Sequence, residues 1–192
     1  MNCPPIPFVG FPKIGRWSRD VIVTEKIDGT NAQVYVDEQL NVYAGSRNRW
    51  LTPEADNFGF AKWVEENSEA LKALGHGHHY GEWWGSGIQR TYGLKTKRFS
   101  LFNVTRWGLS RPACCGIVPV LYKGPMDDVN IQGILNNLQA LGSCAEPGFM
   151  RPEGIVVYHE ASGALFKKTL EDDGIPKSRI ATKGFTDMAL NA

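Results

Sequence analysis

Short runs with the period-two or β-branched character of strands recur along most of this chain and are joined mainly by turns, and that pattern is what most narrows its fold. Residues 21–24 (Val-Ile-Val-Thr) are β-branched throughout, and residues 32–36 and 40–44 alternate around Asp37-Glu38-Gln39 as a hairpin should. Further strand-like runs follow at 79–84, 98–104, 118–123, 154–158 and 164–168. Helical spacing is confined to two stretches. Asp56 or Asn57 can cap a helix that places Phe60, Val64, Leu71 and Leu74 near one face. Residues 127–141 repeat Ile131, Ile134, Leu135, Leu138 and Leu141 at 3.6 spacing, with Asp127 and Asp128 suited to the positive end. Many strands, few helices and turn-like joints predict an α+β fold with two largely antiparallel sheets. The segment up to Arg19, with its Pro4-Pro5-Ile6-Pro7 start, reads as an irregular arm.

With 192 residues, 42% of them hydrophobic, the chain suits a single compact domain over 1–192. Its net charge of +1 excludes a polybasic protein, yet positions 88–111 hold Arg90, Lys95, Lys97, Arg98, Arg106 and Arg111 without one acidic residue. That stretch is a candidate phosphate-backbone surface or, equally, a solvated loop with ordinary arginines. Cys3, Cys114, Cys115 and Cys144 form no Cys-x-x-Cys pair, and adjacent thiols bridge poorly, which favours a reduced, cytoplasmic setting. No run of membrane length and no secretory signal pattern is present, so no membrane contact is expected. His76, His78 and His79 could bind a metal, but histidines interrupted by glycine before a strand are more often an exposed turn.

Lys26 ends the first strand and is followed by Ile27-Asp28-Gly29-Thr30-Asn31. A lysine attacks only as the free amine, so a site that uses one must lower its pKa from ~10.4 toward neutrality by burial or nearby cations. Lys167 and Lys168 could supply those cations. Taken by itself, Lys-x-Asp-Gly fits a surface lysine in an Asp-Gly turn. Downstream stand Tyr80-Gly81-Glu82-Trp83-Trp84-Gly85, Phe99-Ser100-Leu101-Phe102-Asn103-Val104, Glu153-Gly154-Ile155-Val156-Val157 and Leu165-Phe166-Lys167-Lys168.

In that order, from position 25 to 168, these segments resemble five motifs of the covalent nucleotidyltransferase superfamily, which contains ATP-dependent DNA and RNA ligases and capping enzymes. Gly29-Thr30-Asn31 looks more like the RNA ligase 2 type than the Gly-x-Arg of many DNA ligases. The resemblance implies two sheets enclosing a nucleotide pocket, flanked by helices, as in a nucleotidyltransferase or ATP-grasp-like ligase core. It implies attack of Lys26 on the α-phosphate of ATP, a lysyl-AMP intermediate, and Mg²⁺ or Mn²⁺ as the divalent ion. Transfer of AMP to a 5′-phosphate and attack by a 3′-hydroxyl would complete polynucleotide ligation, RNA being favoured over DNA.

Site roles follow from the same resemblance. Glu153 would serve catalysis and hold the metal, and Lys167 would be the phosphate-facing, Lys26-activating cation, with Lys168 in second place because strand neighbours face opposite ways. Glu82 would accept from a ribose hydroxyl, since an unpaired buried carboxylate is costly. Phe102 would stack on adenine, although core packing is the default for a strand phenylalanine. Nucleotide contacts would also involve Glu25, Ile27, Asn31 and Arg47, with Arg49 in reserve. Arg90, Lys95, Lys97 and Arg98 would meet the nucleic acid, helped by Lys177, Arg179 and Lys183. The pattern departs from the family at Asn103, usually aspartate, and at Thr169, usually lysine. Only 24 residues follow Lys168, too few for an oligonucleotide-binding barrel. A DNA ligase, a GTP-dependent capping guanylyltransferase and a non-catalytic module for nucleic-acid ends are the alternatives, and a protein partner that grips the ends is compatible with each.

Overall fold

The computed structural model describes residues 7–108, 110–171 and 173. In chain order it contains β1 (Asp20–Lys26), β2 (Thr30–Val36), β3 (Val42–Ser46), β4 (Trp50–Leu51), α1 (Phe60–Glu66), α2 (Ser68–Leu71), β5 (Gly77–Gly85), β6 (Lys97–Leu101), β7 (Cys115–Ile117), β8 (Val120–Pro125), α3 (Ile131–Leu141), β9 (Gly154–His159) and β10 (Ala164–Thr169). The strands form a four-stranded sheet ordered β10-β9-β1-β8 and a six-stranded sheet ordered β4-β3-β2-β5-β6-β7. Every pairing is antiparallel except β6 with β7. This is the α+β, two-sheet architecture that the spacing of strand-like runs predicts.

Each sheet buries one face under helix. Val21 and Val23 of β1, with Ile155 and Val157 of β9, pack on Leu135 and Leu138 of α3. Ala32, Val34, Trp83, Phe99 and Leu101 of the larger sheet pack on Phe60, Val64, Leu71 and Leu74. Burial at these alternate positions is the main term holding the two layers, each large side chain being worth about 1.5–3 kcal/mol. Leu71 and Leu74 reach that core from α2 and the short turn after it, because the helical stretch breaks at Asn67. Gly59, and not Asp56 or Asn57, holds the N-cap position of α1, but the Asp56 carboxylate accepts from the backbone N–H of Ala61 and Lys62 in its first turn.

Two boundaries differ from the sequence-based expectation. Residues 127–141 do not form one helix: 126–128 make a tight turn, and α3 starts after Asn130, whose side chain accepts from Gly133 N–H at 2.8 Å. Asp127 and Asp128 sit in the preceding turn, and Asn130, next to the first helical residue, supplies the cap. The strand expected over 118–123 instead runs from Val120 to Pro125. β7 ends at Ile117 in the larger sheet and β8 begins at Val120 in the smaller, so Val118 and Pro119 carry the chain from one sheet to the other. Val118 N–H bonds Leu101 and the Pro119 carbonyl accepts from Glu25 N–H, one link to each sheet.

The histidine cluster does not converge. His78 meets Gln33 through Nδ1, whereas His79, its neighbour on β5, is buried on the other face with Nε2 on the Gly75 carbonyl. Among the described residues no group of three His, Cys, Asp or Glu side chains could hold a metal ion unaided. Cys114 and Cys115 are unbridged, as is Cys144; Cys3 and the basic tail at Lys177, Arg179 and Lys183 lie outside the described residues. No described helix is long and apolar enough to cross a membrane.

Candidate active site

Strand alternation decides which motif residues meet. On β1, Lys26 and Thr24 share one face and Glu25, Val23 and Val21 the other. Thr24 pairs with Val156, and Val156 with Lys167, so Lys167 shares the face of Lys26. Lys168, opposite Ile155, stands with Glu25 on the α3 side and pairs with Asp173 at 3.1 Å. The single-residue offset between them separates a cation turned to the Lys26 face from one turned away.

Lys26 Nζ lies 2.6 Å from Oε2 of Glu153, and both side chains are largely withdrawn from solvent. Glu153 precedes Gly154, whose φ of 151° and close approach to β10 require glycine: a Cβ there would collide with the Lys168 carbonyl. From the larger sheet, Glu82 on β5 accepts from Gly29 N–H at 3.1 Å. Gly29 is packed so tightly on β5 that an added Cβ would sit 2.5 Å from the Trp83 carbonyl oxygen. Burial pushes the Glu82 carboxyl up to about 7, while Lys26 and the Gly29 amide pull it down. One lysine and two carboxylates thus come together from β1, β5 and the start of β9.

Asn31, Gln33 and Glu82 share the face of the larger sheet that is not packed on α1. Asn31 Oδ1 accepts from the Arg47 guanidinium, and both line an open cleft of about 380 Å³ with Gly29, Ser46, Asn48 and Asn57. Arg49 is held in the wall of that cleft by the carbonyls of Ala55 and Asp56, which leaves Arg47 the freer cation. Phe102 follows β6, paired through its N–H to the Tyr80 carbonyl, and its ring is 39% exposed, so it is not a core residue. Asn103 caps the next turn, accepting from Arg106 N–H.

Two residues expected at the nucleotide have side chains engaged elsewhere. Glu25 is fully buried and its carboxylate accepts from Ser143 Oγ and from the backbone N–H of Cys144 and Ala145. Ile27 is buried against Trp84, Tyr92 and Val118. What either offers to a ligand is backbone. The basic stretch also divides. Arg90 binds Asp28 at 3.0 Å, the Arg151 carbonyl and Glu171, joining the turn after Lys26 to the approaches of Glu153 and the end of β10. Arg106 and Arg111 donate to backbone carbonyls. Lys95 and Lys97 stay exposed, and Arg98 lies over the Trp84 ring while pairing with Glu146 at 2.7 Å.

Sequence reasoning did not single out Tyr92. Its buried hydroxyl accepts from Asp28 N–H at 2.8 Å, and burial raises its pKa above the usual tyrosine range. Nor did it find the loop at 143–145 that satisfies Glu25. Neither carries a local pattern, since each partner is more than sixty positions away in the chain.

The sequence model of the RNA ligase family matches residues 19–169. No curated protein matches the sequence. Among solved structures, Naegleria gruberi RNA ligase with PPi superimposes with a TM-score of 0.59 at 23% identity, covering 79% of this chain and 50% of that one. A lysine-to-alanine mutant of the same ligase with ATP and Mn gives 0.59 at 22% identity, over 79% and 49%. A glutamate-to-alanine mutant with ATP and Mn gives 0.60 at 22%, over 81% and 51%. The chain therefore spans about half the length of these ligase structures, and the likeness shows a shared fold.

Proposed function

Since this chain belongs to the RNA ligase family, we propose that it is an ATP-dependent polynucleotide ligase that works through a lysyl-AMP intermediate on Lys26 and favours RNA ends over DNA. The observation that carries this reading is the contact of Lys26 Nζ with Glu153 Oε2 at 2.6 Å, on the face that Lys167 shares and within the electrostatic reach of Glu82.

The amine attacks the α-phosphorus of ATP, a P–N bond forms, the bond to the bridging oxygen breaks, and pyrophosphate leaves while the nitrogen gives up its proton. Lys167 stabilises the negative charge that accumulates on the phosphate oxygens. Glu82 accepts from a ribose hydroxyl, Phe102 stacks on the base, and Asn31 and Arg47 hold the nucleotide in the cleft they line. AMP then passes to a 5′-phosphate, and a 3′-hydroxyl displaces it with formation of the phosphodiester. Lys95, Lys97 and Arg98 meet the polynucleotide backbone, whereas Arg90 acts by holding the Asp28 turn.

The donor set fits a magnesium or manganese ion: one nearly buried carboxylate, Glu153, with phosphate oxygens and water completing the shell, as hard cations at phosphate sites commonly require. Bound there, the ion would neutralise phosphate charge. Incubation with α-labelled ATP and magnesium or manganese tests the reading. Wild type should take up covalent label that survives denaturing electrophoresis and alkali but is lost in hot acid, as a P–N bond requires, and Lys26→Ala should not; absence of label on wild type, or equal label on both, rejects it. Labelled GTP in competition separates a capping-type nucleotide preference, and sealing of nicked RNA, DNA and hybrid duplexes separates the substrates.

A further inference from the structure

The uncovered face of the larger sheet carries more aromatic surface than the proposed nucleotide site uses. Register places Asn31, Gln33 and Tyr35 of β2 in one row, beside Glu82, Tyr80 and His78 of β5 on one flank and Tyr43 of β3 and Trp50 of β4 on the other. Tyr35 and His78 lie 4.5 Å apart between ring centroids. His78 and Tyr80 are nearly parallel, 5.9 Å apart at 7°. Trp50 stacks toward His78 at 6.2 Å and 26°, and Tyr43 toward Tyr35 at 6.1 Å and 30°. Yet Tyr43, Trp50 and Tyr80 remain 46%, 53% and 55% exposed. Clustered rings left in water on one sheet face are a mark of an interaction surface.

The composition of the patch selects its occupant. None of the register positions on this face holds an aliphatic side chain; the rings have polar edges, and the row contains Asn31 and Gln33. A sheet of exposed rings with amide and guanidinium neighbours suits planar, polar-edged bases better than an apolar protein surface, and it is how sheet-based modules hold single strands. The patch is also continuous with the candidate active site. Along β2 it starts at Asn31, which Arg47 contacts, and along β5 it starts at Glu82; the Tyr80 carbonyl accepts from the N–H of Phe102, just past the end of β6. At ~3.3 Å per residue, Tyr35 stands about 13 Å from Asn31 along β2, room for more than one stacked base. At the far end Asp37, holding Asn41 and Tyr43, places a negative charge that closes the row to a phosphate backbone.

We propose that this aromatic face is a stacking platform for the single-stranded segment of polynucleotide that adjoins the end being joined. This rests on the ligase reading. The strand would lay successive bases over Tyr80, His78, Tyr35 and Trp50, with Arg47 taking a phosphate where the strand meets the nucleotide cleft.

The test measures binding of 5′-phosphorylated single-stranded RNA oligonucleotides of increasing length, by fluorescence anisotropy at fixed salt, alongside labelled lysyl-AMP formation. Wild-type affinity should rise with length. Trp50→Ala and Tyr80→Ala should each weaken the longer oligonucleotides by about five- to hundredfold, as loss of one base–ring stack does, with Trp50→Phe and Tyr80→Phe restoring most of it. Lysyl-AMP formation should be unchanged in all four variants. Equal affinity of the alanine variants and wild type overturns the proposal, as does a wild-type dimer in sedimentation that Trp50→Ala dissociates. Absence of label on Lys26 defeats the ligase reading and leaves the length dependence to judge the platform separately.

Discussion

Lys26 and Glu153 meet at the end of the β1–β9 pair, where Lys26 is opposite Gly154 in register and the ammonium and carboxylate close to 2.6 Å. On the proposed mechanism the pair must open before the Lys26 nitrogen can reach phosphorus, and whatever draws the carboxylate away would free the amine. A divalent ion on Glu153 would do this. Glu153→Gln should therefore fold normally yet slow lysyl-AMP formation by about 10²–10³-fold, the cost typical of removing one electrostatic group from such a site. Label accumulating at the wild-type rate would remove Glu153 from the chemistry.

Lys167 and Lys168 provide a contrast between neighbours. Because Lys167 shares the Lys26 face and Lys168 pairs with Asp173 on the other, Lys167→Ala should reduce lysyl-AMP formation by about 10²-fold and Lys168→Ala by severalfold at most. Rates in the reverse order would mean that the β9–β10 register differs in solution.

The Glu82 carboxyl, pushed up to about 7 by burial, sets a pH dependence. Its folded pKa lies above the unfolded value near 4.5, so its neutral form contributes stability that is full below about 4.5 and lost as pH rises through about 7. At pH 8 the buried charge costs on the order of 3 kcal/mol. Glu82→Gln should accordingly raise the melting temperature of the nucleotide-free protein at pH 8 and have little effect at pH 5. If the charged carboxylate accepts from ribose as proposed, lysyl-AMP formation should rise across pH 7 in wild type, and that inflection should vanish in Glu82→Gln. A thermal stability difference that does not change with pH would show that Glu82 does not titrate in this range.

Gly29 is held where β1 gives way to β2, with β5 directly behind it. Gly29→Ala must displace either the Trp83 carbonyl or the Trp84 side chain, and should cost about 1–3 kcal/mol of stability as an overpacked site does. The same shift moves the Gly29 amide off Glu82, so lysyl-AMP formation should fall as well. Unchanged chemical denaturation midpoints would show that the turn has more room than the structure allows.

Much of this arrangement was legible in the chain, for reasons that individual residues make plain. Periods of two around Ala32–Val36 and β-branching at Val21–Val23 are local signals that survive folding, because one sheet face is buried and the other is not. The preference for Lys167 over Lys168 needed only strand alternation and a guess at which face the pocket occupies. What escaped was set by distant partners. Nothing near Glu25 indicates that Ser143, Cys144 and Ala145 will take its carboxylate, and nothing near Arg90 marks Asp28 as its partner, so a buried anchor and a brace looked like a ligand contact and a backbone contact. The later start of β8 escaped for a related reason: Val118 and Pro119 are as strand-like as the residues after them, and their bonds to Leu101 and Glu25, one in each sheet, come from partners distant in the chain.

Glu25 and Lys26 are joined by one peptide unit, yet their side chains serve opposite layers of the molecule, the first clamping residues 143–145 and the second meeting Glu153 in the candidate active site. A disturbance in that remote loop is therefore delivered to Lys26, the proposed nucleophile, without any intervening contact. Impaired joining in a variant at Ser143 or Ala145 would report a misaimed lysine, and should not be taken to mean that the loop handles substrate.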